Sequence, residues 1–588
     1  MRLTLMTLLI FFTIIQTVDA FEIQKSIKAV AVTSGDEPKG AVINITVMIN
    51  SGNGRVFVST TPFTEIDMQG STQLSAITAC DLLGIDFTKF DFFYIIEADA
   101  PIVGGPSAGA VMTVATLAAL KNLELDERVY MSGMIYPDGF IGPVGGLNYK
   151  LDAVARNGGK IFLVPSGQSV INVEERTIRR VGIINIITTE LRELNLVDYG
   201  KKLGIEVIEV KTVNEALRYY TGYEIVRQER EVNITIYSDI LKVLADRMRE
   251  GAAELQNYAT KEARDLLNRA EQSYKSGNYY TSTSEFFQAK ILMRYEMFKK
   301  TLASAQQIDR EIETIESEIS RLKEYLKSEQ MGVNSIQIIA GAQERVAEAE
   351  KALKKAKIAR SEEDILYNLA YAKERVESAK VWLSLLPQMS SGQSLNNSEI
   401  KRRAEFYINQ ASSIIVYASS LEGYTDLLQN AFESLEISKS LYSESLYAGA
   451  AFEALNAITD ASLSIEVKYG EIASKVEERK RNAKIAIGEA EETCYPILPI
   501  AYFEYAETSK SVYAKLLYYS LSERIAKFMS NVAKTKGERE VVHRGYVDIK
   551  PTTPETRESI REILEIPGFE IAISLFAILI LTYKIRKK

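Results

Sequence analysis

GGPSAGA (Gly104–Ala110), the apolar run after it to Leu120, and MSGMIYPDGFIGPVGGLNYK (Met131–Lys150) are the stretches from which the fold is read. Ser107 stands where a glycine-rich turn meets a segment, Ala108 to Leu120, with apolar residues on most faces and no helix breaker after Gly109. That pattern predicts a buried helix opened by a serine. Gly104 and Gly105 allow backbone conformations and close approaches that a side chain forbids, and Pro106 fixes one further torsion. The loop is therefore suited to hold an extended peptide against backbone donors. A hydroxyl here lies near the unpaired amides of a helix start, where a developing oxyanion is stabilised.

A nucleophilic serine needs a base. The chain has one histidine, His543, far away in a charged C-terminal region, which disfavours a Ser/His/Asp triad. The remaining common partner is a lysine, and Lys150 follows the Gly145-Gly146 turn at the start of an expected helix, Tyr149 to Arg156. An ordinary lysine, with a pKa of about 10.4, is a poor base at neutral pH, but desolvation lowers it. Leu147, Leu151 and Val154 supply apolar neighbours for that burial. Taken singly, the turn also reads as an N-capped helix and the lysine as a solvated charge.

Gly-Pro-Ser-Ala-Gly at 105 to 109, Pro143-Val-Gly-Gly-Leu147, Lys150-Leu151 and Ala153 together resemble the proteolytic domain of Lon-type serine proteases. The similarity runs from about Ile23 to Tyr220, closing on IEVIEVKTVNEAL, which resembles that domain's last strand and helix. The resemblance implies a Ser107/Lys150 dyad. It places Ser132, in Met131-Ser-Gly133, where the family has a threonine near the lysine amine, and it implies oxyanion binding by backbone amides around Gly105, Pro106 and Ser107. Gly104 replaces the family's usual Asp, and Met134 its usual Glu. With the Asp138-Gly139 turn, these changes look like ATP-independent, archaeal, membrane-tethered relatives without the ATPase module.

Composition narrows the function from outside the motif. A net charge of −8 with scattered basic residues leaves no footprint for nucleic acid. Two cysteines, Cys80 and Cys494, form no disulfide framework and read as one long-range bridge or two buried thiols. With a single histidine they leave little for a metal site, and no cofactor is expected. Neither Gly159-Lys160 nor Gly200-Lys201 is followed by Ser or Thr, so no phosphate loop exists and ATP is not an expected partner.

Taken in order, residues 1–20 read as a secretory signal: Arg2, an apolar Leu3 to Ile15, and Val18-Asp-Ala20 before the cleavage point. Residues 21–225 read as the Lon-like domain, an α/β fold with a mixed sheet. Its expected strands are Ser26–Val32, Ala41–Ile49, Arg55–Ser59, Phe92–Ile96, Val129–Met134 and Lys160–Val164, with a helix Ser71–Leu83 after a break at Gly70. The segment Ser166 to Tyr199 is long for this family and is expected to form a lid or an edge contact. From 235 to 386 the texture becomes helical. Ile308, Ile312, Ile315, Ile319, Leu322 and Leu326 step as a coiled-coil or hairpin seam, and an Ala-rich partner, Gln343–Ile358, follows the Gly332 break. A Ser/Gly/Asn-rich linker (387–398), a second helical region (399–536) and a polar stalk (537–565) come next, and 566–588 forms an apolar block with a basic end. That tail reads as a transmembrane anchor, and Pro567-Gly568-Phe569 also resembles an archaeal sorting signal exchanged for a lipid.

The whole is expected to be an α+β chain: a Lon-type proteolytic domain, an all-α region and a C-terminal membrane anchor. The expected activity is an ATP-independent serine endopeptidase at the cell surface acting on unfolded or flexible polypeptides, with homo-oligomerisation as a further expectation. The alternative is an inactive protease-like surface scaffold that binds proteins through its helical region.

Overall fold

The computed structural model describes residues 23–534 except 34–37, 65, 104, 182–183, 228, 230 and 471. The expected signal (1–20), the whole of the expected stalk (537–565) and the expected anchor (566–588) lie outside the described residues. Among the described residues no helix is long and apolar enough to cross a membrane.

Three antiparallel strands open the chain's main sheet: β1 (Ile23–Val32), β2 (Gly40–Ser51) and, later, β4 (Phe90–Val103). β3 (Arg55–Thr64) pairs parallel to β4, so the order is β1-β2-β4-β3 and the sheet is mixed. The parallel pair requires a crossover, supplied by helix α1 (Ile66–Leu83). α1 runs through Gly70, where the sequence suggested a break. A Cβ there would stand 2.9 Å from the Tyr417 ring, so this glycine serves close packing instead of ending a helix.

After β4 the chain makes a short 3-10 turn, Pro106–Ala108, and enters helix α2 (Gly109–Lys121). Every residue from Gly109 to Ala119 is buried, as an apolar run without a polar face requires. α2 stops at Asn122, which adopts a left-handed conformation and closes the last turn. β5 (Val129–Met131), β8 (Ile161–Pro165) and β11 (Glu206–Val210) form a parallel three-stranded sheet in the order β11-β8-β5. β6 (Met134–Ile135) and β7 (Ile141–Gly142) make a small antiparallel pair. The strand expected over Val129–Met134 is thus split at Ser132-Gly133, and that interruption shapes the site.

Helix α3 (Leu147–Arg156) begins two residues before its expected start, at Gly146, whose φ is +67°. The long insert becomes a hairpin, β9 (Val170–Val181) with β10 (Ile184–Asn195), in register from Val170 opposite Asn195 to Val181 opposite Ile184. Helix α4 (Leu196–Leu203) leads to β11, and α5 (Val213–Thr221) follows it.

The rest of the described chain is helical: α6 (Ser238–Glu254), α7 (Lys261–Lys275), α8 (Tyr279–Thr301), α9 (Ala305–Ser328), α10 (Ile336–Ile358), α11 (Glu362–Leu383), the short α12 (Leu386–Met389), α13 (Asn397–Ser420), α14 (Thr425–Ser443), α15 (Tyr447–Tyr469), α16 (Val476–Glu491), α17 (Ile497–Thr508) and α18 (Val512–Lys534). The isoleucine-leucine seam lies on α9, with Ile315, Ile319 and Leu326 buried. α10 starts at Ile336, ahead of the expected Gln343, because Ile336, Ile338 and Ile339 are fully covered.

The described residues form one compact unit, and one apolar core runs from Ile27 in β1 to Val532 in α18. Polar contacts cross the same boundary. Arg403 of α13 pairs with Asp86 at 2.9 Å, and the Phe87 and Phe406 rings lie 5.3 Å apart. Burial pushes the Asp86 carboxyl up, but Arg403 and Thr88 together hold it below the usual carboxylate range. Cys80 and Cys494 are both buried free thiols, which decides between the two readings of the cysteines.

Candidate active site

The site is assembled from three turns. The first is Gly105 to Ala108. Gly105 has a φ of +88°, a conformation that disfavours any side chain, and the Pro106–Ala108 turn carries a half-buried Ser107 at the head of α2. The second turn is Ser132-Gly133, the gap between β5 and β6. Gly133 N–H donates to the Ser107 carbonyl at 2.9 Å, and Ala110 N–H donates to the Gly133 carbonyl at 3.1 Å. Ser132 N–H donates to the Leu163 carbonyl of β8 at 3.2 Å. The gap in the strand is therefore stitched to the serine turn on one side and to the parallel sheet on the other.

The third turn, at Gly146, launches α3. Lys150 lies in the first turns of that helix with 3% of its surface exposed. Leu147, Leu151 and Val154 form the apolar cluster of this region with Val30, Phe162 and Val164. Burial lowers the Lys150 amine from its ordinary value to about 8, and no opposite charge offsets the effect.

The Lys150 amine donates to Ser132 Oγ at 3.1 Å, and Ser132 Oγ reaches the Ser107 carbonyl oxygen at 3.4 Å. Ser132 thus accepts from the lysine and donates to the serine turn, and its hydroxyl links the two chain segments. The structure brings Ser107, Ser132 and Lys150 together beside Gly105 and Pro106. In chemical terms the set holds a serine hydroxyl, an amine that burial lowers to about 8, and a second hydroxyl hydrogen-bonded to that amine.

Two supports were not legible in the sequence. Ser75 of α1 donates to the Gly109 carbonyl at 2.8 Å and so pins the start of α2. Asp138, in the turn between β6 and β7, meets Arg479 of α16 at 2.6 Å, with Glu466 of α15 on the same guanidinium. The Asp138-Gly139 turn was visible as a turn, but its partner lies too far along the chain for any local pattern to indicate. Among the described residues no group of His, Cys, Asp and Glu is arranged to hold a metal ion.

Comparison with known proteins finds likeness in the sheet-containing part of the chain. Residues 18–217 match the model of the Lon protease (S16) C-terminal proteolytic domain. The chain is 37% identical over 146 residues to a Lon protease of Buchnera aphidicola, covering 24% of this chain and 18% of that protein. It is 28% identical over 199 residues to a Lon protease of Azospirillum brasilense, covering 32% of this chain and 22% of that one. Against an Archaeal Lon protease of Archaeoglobus fulgidus the identity is 25% over 178 residues, covering 30% of this chain and 25% of the relative. The chain thus spans about a fifth to a quarter of the length of these curated relatives. The similarity is to a Lon protease proteolytic domain, whose family implies serine peptidase chemistry.

Proposed function

We propose that this chain is an ATP-independent serine endopeptidase in which Ser107 is the nucleophile and Lys150 its base. The observation that carries the reading is the hydrogen-bonded run from the buried Lys150 amine through Ser132 to the Ser107 turn. Neutral Lys150 takes the Ser107 hydroxyl proton as the oxygen bonds to the scissile carbonyl carbon. The carbonyl oxygen becomes an oxyanion, held by backbone amides around Gly105 to Ser107. When the C–N bond breaks, the Lys150 ammonium returns the proton to the departing amine, leaving an ester on Ser107. Water, deprotonated by Lys150 in turn, attacks that ester, and the ammonium gives its proton to the departing Ser107 oxygen as the acid is released. Ser132 holds the amine in place through both halves.

The substrates are unfolded or flexible polypeptides, because the sequence carries no phosphate loop with which to drive unfolding. The protein acts outside the cytoplasm, tethered at 566–588. The apolar block of the tail and its basic end support that placement, as does the secretory pattern of 1–20. Cleavage of an unfolded casein-type substrate without ATP tests the reading. Wild type cuts, and Ser107→Ala and Lys150→Ala are both silent while folded. Full activity in Lys150→Ala removes the lysine as base, and an inert, folded wild type overturns the peptidase reading.

A further inference from the structure

The helical region encloses a cavity of about 860 Å³, walled by α8, α10, α11, α14, α15, α17 and α18. That volume lies within the roughly 300–1,000 Å³ of small-molecule sites. It is lined by aromatic rings and by five carboxyls against four cations, among them Lys355 and the ion pair of Lys351 with Glu433. Glu348 pairs with Arg375 at 2.9 Å, and Arg375 lies over the Phe287 and Tyr371 rings at 4.6 and 5.1 Å. Arg345 lies 4.5 Å over Trp382 and donates to the Gly341 carbonyl and Ser378 Oγ, with no carboxylate at ion-pair distance among the described residues.

Beside Arg345 and Lys355 stand three further carboxyls. Glu344, Glu453 and Asp460 are 7%, 4% and 9% exposed, and all line the cavity. Glu344 and Glu453 share the Asn456 amide at 3.3 and 3.4 Å, and Asp460 reaches Tyr513 at 3.5 Å. Among the described residues none of the three has a cation at ion-pair distance, although Arg345 and Arg375 act on Glu344 from further off. Burial raises all three carboxyls, and Glu344 adds to the rise at Glu453. Buried in this way the three carboxyls favour their protonated forms, and a cation entering the cavity would favour their ionised ones.

The aromatic surface points the same way. Tyr280, Tyr502, Tyr505 and Tyr518 form an edge-on cluster with centroids 4.6 to 6.1 Å apart. The protein's own guanidinium groups cover Trp382, Phe287 and Tyr371, but among the described residues no cation lies over these four tyrosines. Electron-rich faces beside uncompensated carboxyls attract organic cations.

We propose that this cavity is a binding site for an organic cation, an ammonium or guanidinium group carried by a polypeptide side chain or by a diffusible amine. Glu344, Glu453 and Asp460 supply the counter-charge, and the four tyrosines supply the walls. The site lies apart from Ser107 and does not depend on its chemistry.

Trp382 is the only tryptophan of the chain and lines the cavity, so its fluorescence reports occupancy. The full chain is titrated with N-acetyl-arginine amide, spermidine and a flexible arginine-containing peptide, with N-acetyl-glutamine amide as the neutral control. The expected result is a saturable change with the cations, none with the control, and affinity at least about tenfold weaker in Glu344→Gln and Glu453→Gln. Spermidine alone binding identifies a diffusible amine, and tighter binding of the peptide identifies a polypeptide. Ser107→Ala binds as wild type does, which separates this site from the peptidase reading. Equal response to the neutral control overturns the proposal, and so does silence in fluorescence and calorimetry up to ~10 mM cation. Undiminished binding in the folded glutamine variants overturns it too; Asp460→Asn replaces either of them if that variant does not fold.

Discussion

Arg479 of α16 and Asp138 of the β6–β7 turn meet at 2.6 Å with both side chains nearly inaccessible to water, and this pair ties the helical region to the strand that continues from Ser132-Gly133. Glu466 sits on the same guanidinium, and Lys475 lies 3.5 Å from Glu466. The turn thus enters a buried charge network in which each carboxylate depends on cations from α16 and the segment before it.

Removing Arg479 leaves Asp138 and Glu466 buried beside Lys475 alone. Arg479→Ala is expected to destabilise the protein by about 3–5 kcal/mol, the cost of breaking a buried pair by deleting one member. Urea unfolding measures it. Asp138→Asn keeps the shape of the turn and removes one charge, so its loss is expected to be smaller. Equal losses in the two variants show that the network is not organised around the guanidinium.

The pH dependence of Ser107 acylation follows from the buried amine. Lys150 is lowered to about 8, so below that value most molecules carry an ammonium that cannot accept a proton. The acylation rate by an activated peptide ester is expected to rise about tenfold per pH unit up to about pH 8 and to level above it. The sign is that of a base whose neutral form is active. A rate independent of pH between 6 and 9 rules out Lys150 in this role.

In the proposed mechanism Ser132 is a positioning residue, and its contribution is separable from that of the base. Ser132→Ala removes the acceptor for the Lys150 amine and the donor to the Ser107 carbonyl. A hydrogen bond to a charged or polarised partner contributes about 1.5–3 kcal/mol, so a loss of roughly ten- to a hundredfold in kcat is expected. KM changes little, because Ser132 does not line a substrate subsite in this reading. Ser132→Thr keeps the hydroxyl and is expected to restore most of the rate. A loss confined to KM contradicts the assignment.

Local patterns carried much of the fold. The apolar stretch after Ser107 announced α2, the alternating runs announced β1 and β2, and the step of four and three announced α9. They failed where a long-range contact sets the local choice. Gly70 reads as a breaker, but the Tyr417 ring needs its missing side chain. Ser132-Gly133 reads as strand interior, but hydrogen bonds to the Ser107 turn pull the chain out of the sheet. Ser107 and Lys150 stood out because a glycine-rich turn before an apolar helix and a lysine among leucines are uncommon patterns, and the structure places them on either side of Ser132. Ser75 and Arg479 did not, since a buried serine on a helix and an arginine on a charged helix have no local mark of their role. The cavity of the helical region was invisible for the same reason, since its carboxyls and tyrosines come from seven separate helices.

Gly109, two residues past the nucleophile, gives a test of how tightly that site is built. A Cβ there would lie 2.6 Å from Ile135 Cγ2 and 3.1 Å from the Ile135 backbone nitrogen. Ile135 belongs to β6, directly after Ser132-Gly133, so a methyl at 109 pushes on the segment that orients Lys150. Overpacking of this kind costs about 1–3 kcal/mol. Gly109→Ala is therefore expected to lower stability by that amount and to reduce kcat further than the stability loss explains. Ile135→Ala removes the clashing methyl, though alone it opens a cavity costing about 2–5 kcal/mol. The double variant is expected to be more stable than the sum of the two single losses predicts, because each change relieves the other. Strict additivity in thermal unfolding shows that α2 and β6 do not meet at these atoms.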